Sequence, residues 1–241
     1  MSHTRPTLPR FDEPNDTVDF KSGPTLVAWR AAWSQMQSAV QPDGLGALLP
    51  NGRLATARSI QTALLLRRAS VELPLLIAST RDLAIARCLA VAVPLIGAGP
   101  GLTPSWDDLL IGYICGLRAT ASGDLGRTSF LYRFGAAIQK ASAATTDVSR
   151  WYIQQTIAGH GPQWIEDVLD AIGSGDLERT SRSAQSALHI GNTSGTDMML
   201  GAVLGSSVWQ LGAQAAEVLT TLSCRDPHFA NATSAETHAA H

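Results

Sequence analysis

Apolar residues recur every three or four positions along most of the chain, the period of helices with one buried face. Residues 25–40 show it through Val27, Trp29, Ala32, Trp33, Met36 and Val40, and residues 55–69 through Ile60, Ala63, Leu64 and Leu66. Further helices are expected at 80–91, with Thr80 as N-cap, and at 105–120, 128–142, 146–158 and 163–172, the last ended by Gly173. Asp176 should cap a helix over 176–188, and helices over 194–211 and 213–222 should follow. Pro42, Gly44, Gly46, Pro50 and Gly52 make 41–53 a loop. Residues 72–78 read as a short strand or an apolar connection around Pro74. Strand alternation and a β–α–β rhythm are missing. The expectation is a mainly α, compact multi-helix domain over 25–222. A loose lead-in, 1–24, with a short irregular or β piece would precede it, and a small, polar, disordered tail, 226–241, would follow.

Two helix starts stand out. The first is Gly97-Ala-Gly99-Pro-Gly101-Leu-Thr103-Pro-Ser105-Trp106-Asp107-Asp108, which runs into an apolar helix with Gly112 and Gly116. The second is Gly191-Asn192-Thr193-Ser194-Gly-Thr-Asp197, followed by Gly201 and Gly205. Aligned on Ser105 and Ser194, both read Ser-x-x-Asp, three apolar residues, Gly, three residues, Gly. Ser105 can cap the first helix with Asp108 reaching back, or Thr103 can cap it with Pro104 in the first turn. Glycine in a helix interior costs roughly 1 kcal/mol against alanine, so four of them need a reason. Close helix–helix contact is the simplest. The two glycine helices are therefore expected to pack centrally as pseudo-equivalents, bringing their acids to one place.

Composition narrows the chemistry. Net charge is −2 and charged residues are 16% of the chain, without the basic footprint of a nucleic-acid binder. Cys88, Cys115 and Cys224 lie far apart and outside any C-x-x-C, which fits a reducing cytoplasm and no zinc site. No apolar run is long enough to span a bilayer, and the polar N-terminus carries no secretion signal core.

The glycine loop is neither a dinucleotide fingerprint nor a Walker loop. Its spacing is wrong, Pro94 disfavours the strand that should precede it, and no Lys-Ser or Lys-Thr follows. The candidate reactive groups are Asp107, Asp108 and Asp197. Candidate binding groups are Gly99, Gly101, Thr103, Ser105, Asn192, Thr193 and Ser194, with loop N–H groups available to an anion. No cofactor is required; magnesium on Asp107 and Asp108 is the one ion to consider. Ordinary capping and packing compete with this reading at each start taken alone. His160 reads as a turn residue, His189 as a helix C-terminal residue and Cys115 as a core filler. Trp106, at a helix start, could cover a pocket or a partner surface.

Gly-Pro-Gly-Leu-Thr-Pro-Ser-x-Asp-Asp (99–108) and Gly-x-Thr-Ser-Gly-x-Asp-Met (191–198) resemble the AllH-type family, once a domain of unknown function. Thr145-Thr146-Asp147-Val148-Ser149 resembles a third motif of that family, and the similarity covers about 85–212. It implies a subunit of a hetero-oligomeric carbamoyltransferase of purine (allantoin) degradation, with FdrA-like and AllG-like companions. The complex would move a carbamoyl group between oxalurate and phosphate, giving oxamate and carbamoyl phosphate. Trp106 stands where the family usually has glycine, and Asn192 where it has histidine. A bulky indole at that glycine position would block a small pocket and change the substrate. Two rival readings accompany this one. The chain is a non-catalytic scaffold with a partner surface centred on Trp106, or a small-ligand-binding module.

Overall fold

Two helices of this protein have no solvent-facing side. In the computed structural model, which describes residues 18–39, 44–49 and 59–210, every residue of helix Ser105–Ala121 is buried. So is every residue of helix Ser194–Ser207 after its first. A helix apolar on all sides must be wrapped by others, and seven more helices do this among the described residues. In chain order the nine described helices, the central pair included, are α1 (Gly23–Ser38), α2 (Ile60–Arg81), α3 (Ile85–Ala92), α4 (Ser105–Ala121), α5 (Leu125–Ala141), α6 (Asp147–Ile157), α7 (Gln163–Ser174), α8 (Leu177–Leu188) and α9 (Ser194–Ser207). Short 3₁₀ turns sit at Leu45–Leu48, Val93–Leu95 and Ser142–Ala144. The described residues contain no strand.

The expected central pairing of the glycine helices is what the chain builds. A Cβ at Gly112 would run into the Met198 carbonyl and stand 2.9 Å from the Ala202 nitrogen. A Cβ at Gly201 would run into the Leu109 carbonyl and stand 2.7 Å from the Tyr113 nitrogen. Gly116 faces the Ala202 carbonyl and Gly205 the Tyr113 carbonyl in the same way. Each contact is mirrored by its counterpart in the other helix, so α4 and α9 are related by a local pseudo-two-fold. Backbone touches backbone, and no side chain could move aside to admit a methyl group.

The surrounding helices lock onto this pair. Trp29 of α1 donates its indole N–H to the Val203 carbonyl at 3.0 Å and stacks on Trp33. On α5, Phe130 stacks on Phe134 and meets the edge of Trp209. Asp176 caps α8 as expected, accepting from the Arg179 N–H. Val18 donates to the Ala119 carbonyl and is buried, so residues 18–22 are anchored rather than loose.

Several elements differ from expectation. Residues 60–81 form one helix through Pro74, with no strand or connection at 72–78. A mid-helix proline costs about 3 kcal/mol, and burial of Leu66, Ala69, Leu73, Leu76 and Ile77 along one face offsets it. That face differs from the one read from the sequence, because Ile60 and Leu64 point to solvent. Thr80 is not an N-cap; its hydroxyl bonds the Leu76 carbonyl inside α2. The break falls instead at Leu83, whose φ of 53° is left-handed, and α3 starts at Ile85. Gly173 lies within α7, which ends on left-handed Gly175. Val27 is exposed. The expectations for 213–222 and 226–241, and for most of 1–24 and 41–58, fall outside the described residues.

Candidate functional site

Neither capping scheme for the first helix start is realised. Pro104 occupies the N-cap position, without a side-chain cap, so Ser105 is the first helical residue and Asp108 the fourth. In α9 Thr193 is the N-cap, also without a side-chain bond, so Ser194 is first and Asp197 fourth. The two starts therefore share one register. Gly99, at φ 125°, holds the preceding loop against α4, where a Cβ would strike the Ser105 nitrogen. The Ala98 carbonyl accepts the Trp106 N–H, and the Ile190 carbonyl accepts that of Gly195. These two helix-start donors are thus engaged within the chain.

Packing of the glycine faces brings the starts together. Thr103 and Ser194 share a hydrogen bond at 3.0 Å between hydroxyls. Asp108 and Asp197 are both fully buried and repel each other electrostatically. The pairing is reciprocal: the Ser194 hydroxyl approaches Asp108 and the Ser105 hydroxyl approaches Asp197. Burial pushes the Asp108 carboxyl up to about 8, with Asp197 and Asp107 adding to the rise and Ser194 and Thr103 opposing it. Burial pushes Asp197 up to about 7, opposed by Ser105, the Leu45 and Gly46 backbone and Thr193. The hydroxyls come close without closing into well-formed bonds. Both oxygens of Asp108, Oδ2 of Asp197 and Oγ of Ser105 are buried and unpartnered. A buried polar atom in that condition costs about 1–3 kcal/mol, so this cluster is maintained against stability.

Asp107 belongs elsewhere. Its Oδ1 accepts the Gly97 N–H at 2.8 Å, and its Oδ2 accepts hydroxyl bonds from Thr145 and from Ser149, the latter at 2.7 Å. Burial raises its pKa against these bonds. Asp107 is thus the staple that joins the glycine loop, α4 and the start of α6. The motif at 145–149 is explained by the same staple. Thr146 caps α6 by accepting the Ser149 N–H and donates to the Leu102 carbonyl. Asp107 and Asp108 turn to different neighbours. Among the described residues no group of three His, Cys, Asp or Glu side chains is placed to hold a metal.

Exposure is graded across the site. Gly101 and Asn192 are exposed, Thr103, Thr193 and Ser194 half-buried, and Ser105, Asp108 and Asp197 buried. Trp106 overturns its expectation. It is fully buried, its indole N–H donates to the Ala92 carbonyl at 3.1 Å, and it offers no partner surface. The scaffold reading centred on an exposed Trp106 falls. Cys115 is buried filler, and His160 and His189 are exposed, His189 capping the end of α8.

One contributor was missed. The Leu45 N–H donates to Asp197 Oδ1 at 2.7 Å, and Leu45–Leu48 is wholly buried. A Cβ on Gly44, whose φ is 70°, would stand 2.7 Å from both Asp197 Oδ2 and the Thr193 side chain. The glycines and leucines of 44–49 were the available signal, since a solvent loop has no need of Leu45, Leu48 and Leu49.

The fold and site define a helical protein whose two interlocked glycine helices present a buried pair of carboxylates at their adjacent N-termini. Residues 95–206, which contain both helix starts, match the AllH family, oxamate carbamoyltransferase subunit AllH. The resemblance read from the motifs is thereby established over that stretch, and the family's description implies a subunit of oxamate carbamoyltransferase. No solved structure matches the chain. Among the described residues no helix is long and apolar enough to cross a membrane.

Proposed function

We propose that this chain is a subunit of a cytoplasmic, hetero-oligomeric carbamoyltransferase of purine (allantoin) degradation, acting on oxamate, oxalurate or a related small amide beside FdrA-like and AllG-like subunits. The observation that supports a working site in this chain is the Asp108–Asp197 pair, buried and incompletely hydrogen bonded. A carbamoyl group carries one carbonyl acceptor and N–H donors. Two neighbouring carboxyls that share protons near neutrality match it, one donating to the oxygen and the other accepting from nitrogen. With oxalurate, a phosphate oxygen attacks the carbamoyl carbon and the bond from that carbon to the oxamate nitrogen breaks. The protonated carboxyl supplies the proton that this nitrogen takes up, giving oxamate and carbamoyl phosphate. Thr103, Ser105, Thr193 and Ser194 orient the substrate, and Asp107 positions Asp108 through the backbone. Transfer of this kind depends on orientation and charge stabilisation more than on a covalent nucleophile.

The test is carbamoyl transfer by the assembled complex carrying Asp108→Asn or Asp197→Asn, with subunit composition checked by gel filtration. At least a hundredfold loss in kcat, in complexes that assemble, is expected. Full rate in both variants would place the chemistry in another subunit.

A further inference from the structure

We propose that the segment Gly44-Leu45-Gly46 is a positioning element of the site, which fixes Asp197 as the hydrogen-bond acceptor of the carboxyl pair and leaves Asp108 as its proton donor. The proposal rests on the reading of that pair as the working site. It starts from an asymmetry of donors. Oδ1 of Asp197 accepts the Leu45 N–H at 2.7 Å, and the Gly46 backbone acts on the same carboxyl. Its Oδ2 is buried without a partner among the described residues, and so are both oxygens of Asp108. The groups that approach Asp108 are the hydroxyls of Ser194 and Thr103. A hydroxyl can accept a proton as well as give one, whereas a backbone N–H can only donate. Donors of that kind favour the charged carboxylate. Where two like charges share a buried place, the proton then settles on the acid with fewer of them. Burial lifts both carboxyls, and Asp108 further than Asp197, in the order these contacts require.

The segment is held in place from behind. Leu45, Ala47, Leu48 and Leu49 are buried, and the 3₁₀ turn Leu45–Leu48 packs against α2, α4 and α9. Glycine at 44 lets the backbone lie against the carboxylate, where a Cβ would stand 2.9 Å from Oδ1. The segment precedes the 95–206 stretch that matches the family, so chain outside that stretch completes the site. Of the described elements around Asp197, the first turn of α4 brings Asp107 and Asp108, while the 3₁₀ turn and α9 add no titratable side chain. His189, after α8, is exposed and bonded to the Gln185 carbonyl. The roles then follow. Oδ2 of Asp197 accepts an N–H of the carbamoyl group. As a phosphate oxygen bonds to the carbamoyl carbon, the oxamate nitrogen leaves with the electron pair of the broken C–N bond and takes the proton of Asp108. Hydrogen phosphate gives up its own proton on becoming carbamoyl phosphate, and that proton restores the Asp108 acid.

The experiment begins with carboxyl carbon-13 NMR of the full-length chain, labelled at aspartate, near neutral pH. Asp108→Asn and Asp197→Asn identify the two resonances. That of Asp108 should lie in the protonated range and that of Asp197 in the ionised range. Leu45→Pro then deletes the N–H at the first position of the turn, a place that tolerates proline. Leu45→Ala loses the same side-chain packing and keeps the N–H. The Asp197 resonance should move toward the protonated range in the proline variant alone. In assembled complexes, kcat of Leu45→Pro should lie about tenfold or more below that of Leu45→Ala, with KM little changed. In the Asp197→Asn background the two should be equal. Resonances that are alike or reversed overturn the assignment of donor and acceptor, and they decide it even where Leu45→Pro fails to fold. Equal kcat in the two variants, or a difference that persists with Asp197→Asn, overturns the positioning role. Full transfer by both Asp→Asn variants overturns the proposed function instead. Lost transfer in those variants, with alike or reversed resonances, overturns this inference and leaves that function standing.

Discussion

The starts of α4 and α9 are copies in register and opposites in anchorage. Each opens on serine, places an aspartate at its fourth residue and follows it with two glycines that meet the other helix. The α4 start is held by residues of its own neighbourhood and by α6, through the three bonds of Asp107. At the position of Asp107, α9 has Thr196, whose hydroxyl is buried and unpartnered. Its aspartate is held instead from far up the chain, by the Leu45 N–H. A duplicated motif can thus set a symmetric pair of charges while unrelated segments supply the clamps. Asp107 is the added acid that builds structure; Asp108 and Asp197 are the matched acids left with unused oxygens.

The symmetry is broken most forcefully at the helix contact. Gly112→Ala and Gly201→Ala each drive a methyl into backbone that cannot yield, so each should cost 3 kcal/mol or about that much, the upper end for overpacking. Denaturant melts should show similar losses for the two. A cost confined to one helix would show that the contact is not reciprocal.

Asp107→Ala should come next, at about 3 kcal/mol, because the Gly97 N–H and the Thr145 and Ser149 hydroxyls lose their acceptor. Transfer activity should fall with the folded fraction. Asp108→Asn should separate the two properties, losing transfer while the fold is kept.

The pH dependence sharpens the same contrast. Asp108 and Asp197 are raised to about 8 and about 7 in the folded chain, against about 3.9 when unfolded. The folded state then holds more protons than the unfolded one between those values, so stability falls as pH rises from about 4 through 8. The stabilising contribution is complete below the unfolded pKa and is lost above the folded ones. Asp108→Asn/Asp197→Asn should flatten this slope and raise the Tm at pH 8 relative to wild type. An unchanged difference in Tm between pH 5 and pH 8 would show that neither acid is held protonated.

The smallest effect lies outside both starts. Leu83→Gly relieves a left-handed residue after α2 and should stabilise by about 1 kcal/mol. Thermal melts with unchanged transfer would confirm that this strain has no part in the site.

Much of this was legible along the chain. The Ser-x-x-Asp pairs, the glycines four apart and the apolar period led to two central helices, because those features are local and close contact needs glycine. Other features depended on partners distant in sequence. Pro74 gave a local reason to interrupt α2, and only the burial of Leu73, Leu76 and Ile77 overrode it. Trp106 read as a site residue from its neighbours, yet the turn of α4 carries it into the core. Periodicity does not reveal which of two adjacent acids turns to which neighbour.

By itself the sequence determined the helical class, the duplicated starts and the family resemblance, since propensity, capping residues and spacing act over a few positions. Only the tertiary structure decided that Asp107 is satisfied by α6 while Asp108 and Asp197 face each other with oxygens to spare. That outcome depends on the approach of α4 to α9 and on Leu45 reaching Asp197. Burial, and with it the protonation of a carboxylate, is a property of the surrounding packing and not of the residue.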